Sequence, residues 1–151
     1  EEVLVRDIAH ALSLQCRFNG HVEEHYSVAE HSVLVSDMAY NLSKDYKVAL
    51  AGLLHDAAEA YIGDVVSPLK KMLSEYKEIE ERVEKCIAEA FDLEFPWPEE
   101  VHRADKLILS REFSSIAPFA EEGEAYGTLS PKAAEARFMQ RYTELMGAID
   151  A

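Results

Sequence analysis

The chain has 151 residues and a mass of 17.0 kDa, the size of one domain with a core of its own. Its formal net charge of −14 forgoes the counterion release that drives most nucleic-acid binding, so nucleic acid is excluded as the main partner. An anionic membrane surface is disfavoured by the same charge, and the longest apolar run, Val48–Leu54, is far short of the roughly 20 residues a span needs. No leader with a basic stretch before an apolar one is visible. Cys16 and Cys86 fit no paired metal spacing. They are expected to be free, buried thiols in a reducing compartment, which points to the cytoplasm.

In chain order, the first clear signal is Ser27-Val28-Ala29-Glu30, a capping box that opens a helix carrying Val28, Val35, Met38, Ala39 and Leu42. Asp45 can cap the next helix, which holds Val48, Leu50, Leu53, Leu54, Ala57, Ala58 and Tyr61 and stops at Gly63. Ser67-Pro68 reads as a cap followed by proline in the first turn. From Glu75 to Phe91 the apolar residues Ile79, Val83, Ile87 and Phe91 recur every fourth position, and acidic residues fill the other face. Phe95-Pro96-Trp97-Pro98 breaks the pattern, and a helix resumes near Glu99 with Val101, Ala104, Leu107, Ile108 and Phe113. Residues 121–128 read as a loop. Ser130-Pro131 repeats the cap-plus-proline signal ahead of Ala134, Phe138, Tyr142 and Leu145. No run of period-two alternation is long enough for a sheet. The prediction is an all-α, compact single-domain bundle of about six helices spanning residues 1–151.

The stretch Leu54-His55-Asp56-Ala57-Ala58-Glu59 carries the chemistry. Histidine beside aspartate in an apolar helix is costly to bury unless something pairs with it. At about 100° per residue, Asp56 lies about 100° and Glu59 about 40° round from His55, so the three share one arc. An imidazole and two carboxylates suit a hard or borderline divalent ion. The remaining ligands must come from other helices, and two polar residues sit in apolar company there: His31 in the capped helix and Asp105 in the helix of Leu107 and Ile108. Each alone has an ordinary reading, as a satisfied core histidine or as an ion-pair partner of Arg103 or Arg111. Their joint order, His31, His55-Asp56, Asp105, is what points to a metal.

That order resembles the signature of the HD-domain phosphohydrolases. The strings Tyr26-Ser27-Val28-Ala29-Glu30-His31-Ser32, Leu54-His55-Asp56-Ala57-Ala58-Glu59 and Gly63-Asp64, with Pro68 and Lys70, resemble one branch of that family. It includes small deoxynucleotide 5′-phosphatases and phage-type dATP triphosphohydrolases. The resemblance implies His31, His55, Asp56 and Asp105 as ligands of one divalent metal ion, open among Mn²⁺, Co²⁺, Zn²⁺, Mg²⁺ and Fe²⁺. It implies Glu59 and Asp64 as the acid/base carboxylates and Arg17 and Lys70 as phosphate-binding cations. Phe18 falls where the 5′-phosphatases carry a tryptophan beside the deoxyribose, a departure that bears on substrate choice. A small-molecule nucleotide substrate and a homo-oligomer are implied as partners. The Trp97 segment reads either as an apolar contact between subunits or as core.

The expected activity is metal-dependent hydrolysis of deoxynucleotides, releasing one phosphate from a monophosphate or triphosphate from a deoxynucleoside triphosphate. The alternative is a non-catalytic HD-fold protein that binds a nucleotide or a partner, which predicts a broken ligand set. A di-iron oxygenase on the same fold needs further histidines, for which His21 and His25 are the candidates.

Overall fold

The computed structural model describes residues 2–115, 127 and 129–151. Among them the chain forms eight α-helices and no strand: α1 Val5–Leu14, α2 Val28–Ser43, α3 Tyr46–Leu54, α4 Glu59–Ile62, α5 Ser67–Lys70, α6 Ser74–Ala90, α7 Glu99–Ser115 and α8 Pro131–Ile149. Six are long, and α4 and α5 are single turns. The all-α reading holds. Most of the segment expected to be a loop, 121–128, lies outside the described residues.

Helices α2 and α3 form the central pair, with α7 and α8 packed on both and α1 against α2 and α8. Local chemistry fixes the pair. The Ser27 hydroxyl accepts from the Glu30 amide at 3.0 Å, and Asp45 Oδ1 accepts from the Lys47 amide at 2.7 Å. Lys44 closes α2 in a left-handed conformation, its amide donating to the Tyr40 carbonyl at 2.7 Å. Gly52 sets the distance between the two helices. A Cβ there would meet Ala39 Cβ at 3.1 Å and Ser36 Cα at 3.2 Å, so only glycine lets the backbones come this close. The Ser36 hydroxyl then donates to the Ala49 carbonyl at 2.9 Å across the contact.

The main core gathers Ile8, Leu12, Val28, Leu50, Leu53, Leu54, Ile87, Phe138 and Leu145. Trp97 is buried with Ala51, Ala88 and Val101, as the core reading of its segment expects. Burying a side chain of this size contributes roughly 1.5–3 kcal/mol relative to leaving it exposed.

Four details differ from the sequence reading. Helix α1 was not anticipated, although Ile8, Ala9 and Leu12 give it a buried stripe. The helix expected through Tyr61 is interrupted: α3 ends at Leu54, and the amides of Ala57, Glu59, Ala60 and Tyr61 bond three residues back. This tight winding displaces the arc drawn for His55, Asp56 and Glu59 from ideal α spacing. Val66, not Ser67, stands at the cap position of α5, without a side-chain bond. Both cysteines are free, but Cys86 is exposed rather than buried. No helix among the described residues is long and apolar enough to cross a membrane.

Candidate metal centre

Three elements meet at one point. His31 comes from the first turns of α2, His55 and Asp56 from the tight turn that ends α3, and Asp105 from the middle of α7. His31 Nε2 lies 3.1 Å from Asp105 Oδ1 and 3.5 Å from Asp56 Oδ2. His55 Nε2 lies 3.2 Å from Asp56 Oδ2 and 3.6 Å from Asp105 Oδ1. The imidazole rings are 5.5 Å apart between centroids and tilted by 50°. Ligand atoms of His31, His55 and Asp105 form one group within 4.8 Å of each other. Asp56 Oδ2 also approaches both imidazoles.

The donor set fits a divalent ion. His55 Nδ1 is 2.7 Å from the Gly52 carbonyl, which can only accept, so the proton sits on Nδ1 and Nε2 presents a lone pair. Both Nε2 atoms are buried and neither makes an aligned hydrogen bond. Bare imidazole lone pairs beside carboxylates repel unless a proton or a cation joins them. Metal-ligand bonds of roughly 2.0–2.2 Å place neighbouring ligand atoms about 3 Å apart, as found for these nitrogens and oxygens. Without the ion the centre draws protons instead. Burial opposes charging His55, but Asp56 and Asp105 prevail and hold its pKa well above the ordinary value. Burial likewise opposes ionising Asp56, yet His55 and His31 bring its carboxyl down to about 2.

Around the centre, the remaining expected residues divide by environment. Glu59, at the start of α4, is buried, and its Oε2 has no hydrogen-bond partner. Burial raises its pKa well above the usual carboxylate range, with Asp56 and Asp64 adding to the effect. Asp64 follows Gly63, whose positive φ of 84° turns the chain out of α4. Burial raises its pKa, against the pull of Arg17. Lys70 Nζ is paired with Glu80 Oε1 at 2.6 Å, so α6 already holds this cation. Phe18 lies in a left-handed conformation (φ 56°, ψ 32°), followed by Asn19 (φ 52°) and Gly20 (φ 78°). Each such non-glycine residue costs roughly 1–3 kcal/mol and needs its surroundings to enforce it. The enforcement is visible. Arg17 donates its amide to the Tyr26 carbonyl at 2.8 Å, and the Phe18 ring packs 5.7 Å from that of Phe113.

Arg17 is paired with a residue the sequence did not reveal. Glu112 is completely buried and receives Arg17 Nε at 2.8 Å, Arg17 Nη2 at 3.2 Å and His31 Nδ1 at 2.9 Å. The Tyr26 hydroxyl interacts with the same carboxylate. A signal existed. Glu112 continues the Val101, Ala104, Ile108 stripe of α7, and a charged residue on an apolar stripe calls for a partner. His21 and His25 supply no further ligands to the group. His21 is exposed, and His25 Nε2 is engaged with the Ser13 carbonyl at 2.9 Å.

Residues 28–141, which carry all four expected ligands, match the HD domain family. The chain belongs to the HD-domain family. Its members are in general hydrolases. The chain is similar to YfdR, an uncharacterised protein of Escherichia coli, at 33% identity over 157 aligned positions covering 96% of this chain and 85% of that one. It is also similar to an uncharacterised protein of Rhodobacter capsulatus, at 34% identity over 129 positions covering 80% and 66% of the two chains.

Proposed function

We propose that this HD-domain protein is a metal-dependent phosphohydrolase acting on deoxynucleotides, either monophosphates or triphosphates. The observation that carries the reading is the convergence of two buried Nε2 atoms, neither in an aligned hydrogen bond, on the carboxylates of Asp56 and Asp105. His31, His55 and Asp105 would hold the ion, with Asp56 as the fourth ligand of the family order. A divalent ion held there supplies a Lewis acid for a phosphoryl oxygen and makes water a nucleophile near neutral pH.

The chain's own groups provide the rest. A guanidinium has five N–H donors, and Arg17 commits only two contacts to Glu112, so its remaining edge can bind phosphate oxygens. Lys70, held by Glu80, adds positive charge at the α5 side. In a chain of net charge −14, these cations and the ion offset the repulsion of an anionic substrate. Glu59 holds a proton to unusually high pH and is suited to protonate the leaving oxygen, while Asp64, whose carboxylate Arg17 favours, orients the attacking water. Phe18 offers an apolar wall next to Arg17, whose guanidinium lies 4.9 Å from the ring centre. We also infer a cytoplasmic homo-oligomer, checked by light scattering of the purified chain.

The deciding experiment is product analysis by ion chromatography after incubating the protein, loaded in turn with Mn²⁺, Co²⁺, Zn²⁺, Mg²⁺ or Fe²⁺, with deoxynucleoside mono- and triphosphates. Free triphosphate supports the triphosphohydrolase, and orthophosphate from monophosphates supports the nucleotidase. No turnover of any nucleotide with any of the five metals rejects hydrolysis and favours a binding protein.

A further inference from the structure

We propose that Glu112 is a positioning residue that presents His31 to the metal and ties the Arg17 turn to the same carboxylate. The proposal rests on the reading that His31 is a metal ligand. Asp105 and Glu112 are seven residues apart, about two turns, so one face of α7 offers both a ligand and the brace of another ligand. Glu112 has no exposure to solvent, and three groups from other parts of the chain reach it: Arg17 ahead of the left-handed turn, Tyr26 ahead of α2, and His31 within α2.

A carboxylate that is ionised can only accept. Arg17 donates Nε to one oxygen of Glu112 and Nη2 to the other, so both oxygens act as acceptors. His31 must therefore carry its proton on Nδ1, leaving Nε2 as the atom that faces Asp105 and Asp56. His55 reaches the same state through a backbone carbonyl. His31 has only a side chain for this purpose, so its orientation depends on one substitutable position. A ligand's outer partner typically changes metal affinity by about 10–100-fold.

Glutamine at 112 meets a conflict. If its oxygen faces His31, its NH₂ opposes the donors of Arg17. If its oxygen faces Arg17, its NH₂ opposes Nδ1 and drives the proton to Nε2, the metal-facing atom. Aspartate keeps the charge and shortens the reach.

The test titrates Mn²⁺ into the wild-type chain, Glu112→Gln and Glu112→Asp by calorimetry, with far-ultraviolet circular dichroism to confirm the fold. Glu112→Gln is expected to bind about 10–100-fold more weakly, and Glu112→Asp to recover part of the loss. Equal affinity of folded Glu112→Gln and the wild type overturns the proposal. A second measurement needs no variant. Long-range ¹H–¹⁵N spectra of the Zn²⁺-loaded wild type are expected to show the His31 proton on Nδ1, and a proton on Nε2 overturns the proposal. A wild type that binds no divalent ion rejects the metal reading itself, and this proposal with it. No step depends on the nucleotide substrate, so failure to hydrolyse nucleotides is a separate result.

Discussion

The metal end of the bundle and the outer flank formed by α6 invert each other's burial. At the junction of α2, α3 and α7, His31 and Glu112 are fully buried and His55 nearly so. On α6 the apolar positions form a clean four-residue repeat, yet Ile79 remains 42% exposed and only Ile87 and Ala88 are buried. Amphipathic spacing chooses which face of a helix turns inward, not how much of that face finds a cover. Polar groups go to the centre of the molecule when they can satisfy each other there, and three elements supply the partners at the metal end. The flank has no such closure, and its exposed face lines a groove of about 710 Å³ with Val3, Tyr61, Ile79 and Val83.

This contrast can be broken from either side. The largest effect is expected from the ligands. His55→Ala and Asp105→Ala should each reduce metal-dependent phosphate release by about a thousandfold or more, since a ligand supports both binding and water activation. Phosphate release and Mn²⁺ calorimetry would check this, and wild-type turnover in both variants would detach the chemistry from this centre. Next comes Arg17→Met. It leaves Glu112 buried without its main cation and should cost about 3–5 kcal/mol by urea unfolding. A loss below about 1 kcal/mol would show that His31 and Tyr26 alone satisfy the carboxylate.

Gly52→Ala should cost about 1–3 kcal/mol, because the new methyl meets backbone and Ala39 at 3.1–3.3 Å and must part α2 from α3. It should also weaken Mn²⁺ binding, since those helices carry the two histidines. Unchanged affinity would mean the centre tolerates a wider helix spacing.

On the flank the effects should be smaller. Burial, with help from Glu80, pushes the Glu84 carboxyl up to about 7, where the Trp97 indole donates to it at 3.4 Å. A raised carboxyl pKa contributes stability that is complete below the unfolded value near 4.5 and lost as pH rises through 7. Glu84→Gln removes that loss. Its melting temperature should therefore exceed that of the wild type at pH 8.5, with the difference closing towards pH 4.5. A constant difference across that range would rule out titration as the cause. Smallest of all, Ile79→Ser should change stability by no more than about 0.5 kcal/mol, whereas buried Ile87→Ala should cost about 2–5. Similar losses at both positions would mean that the flank is covered in solution.

Much of the site was legible because its residues stand out locally. His31, His55 and Asp105 are polar among apolar neighbours, and a polar residue that folding must bury advertises a partner. Glu112 met the same criterion on the Val101–Ala104–Ile108 stripe, yet with several carboxylates and cations in reach no spacing rule paired it with Arg17 or His31. Helix α1 was missed because its stripe is short and carries no cap signal, its first residue being preceded by Leu4 without a side-chain bond. The interruption after Leu54 was equally hidden. Leu, Ala and Glu favour helix on either side, and the tight winding shows itself only in the hydrogen bonds.

The sequence by itself determined the all-α class, the caps at Ser27, Asp45 and Ser130, and the order of the candidate metal ligands. The class and the caps depend on neighbours within a turn or two, where backbone geometry fixes what can meet, and the ligand order is read along the chain without knowing the packing. Only the tertiary structure decided that Arg17 and His31 share Glu112, that Lys70 belongs to Glu80, and that Trp97 is core. Those pairings join residues distant along the chain. Their choice among many possible ion pairs is made by which elements pack together.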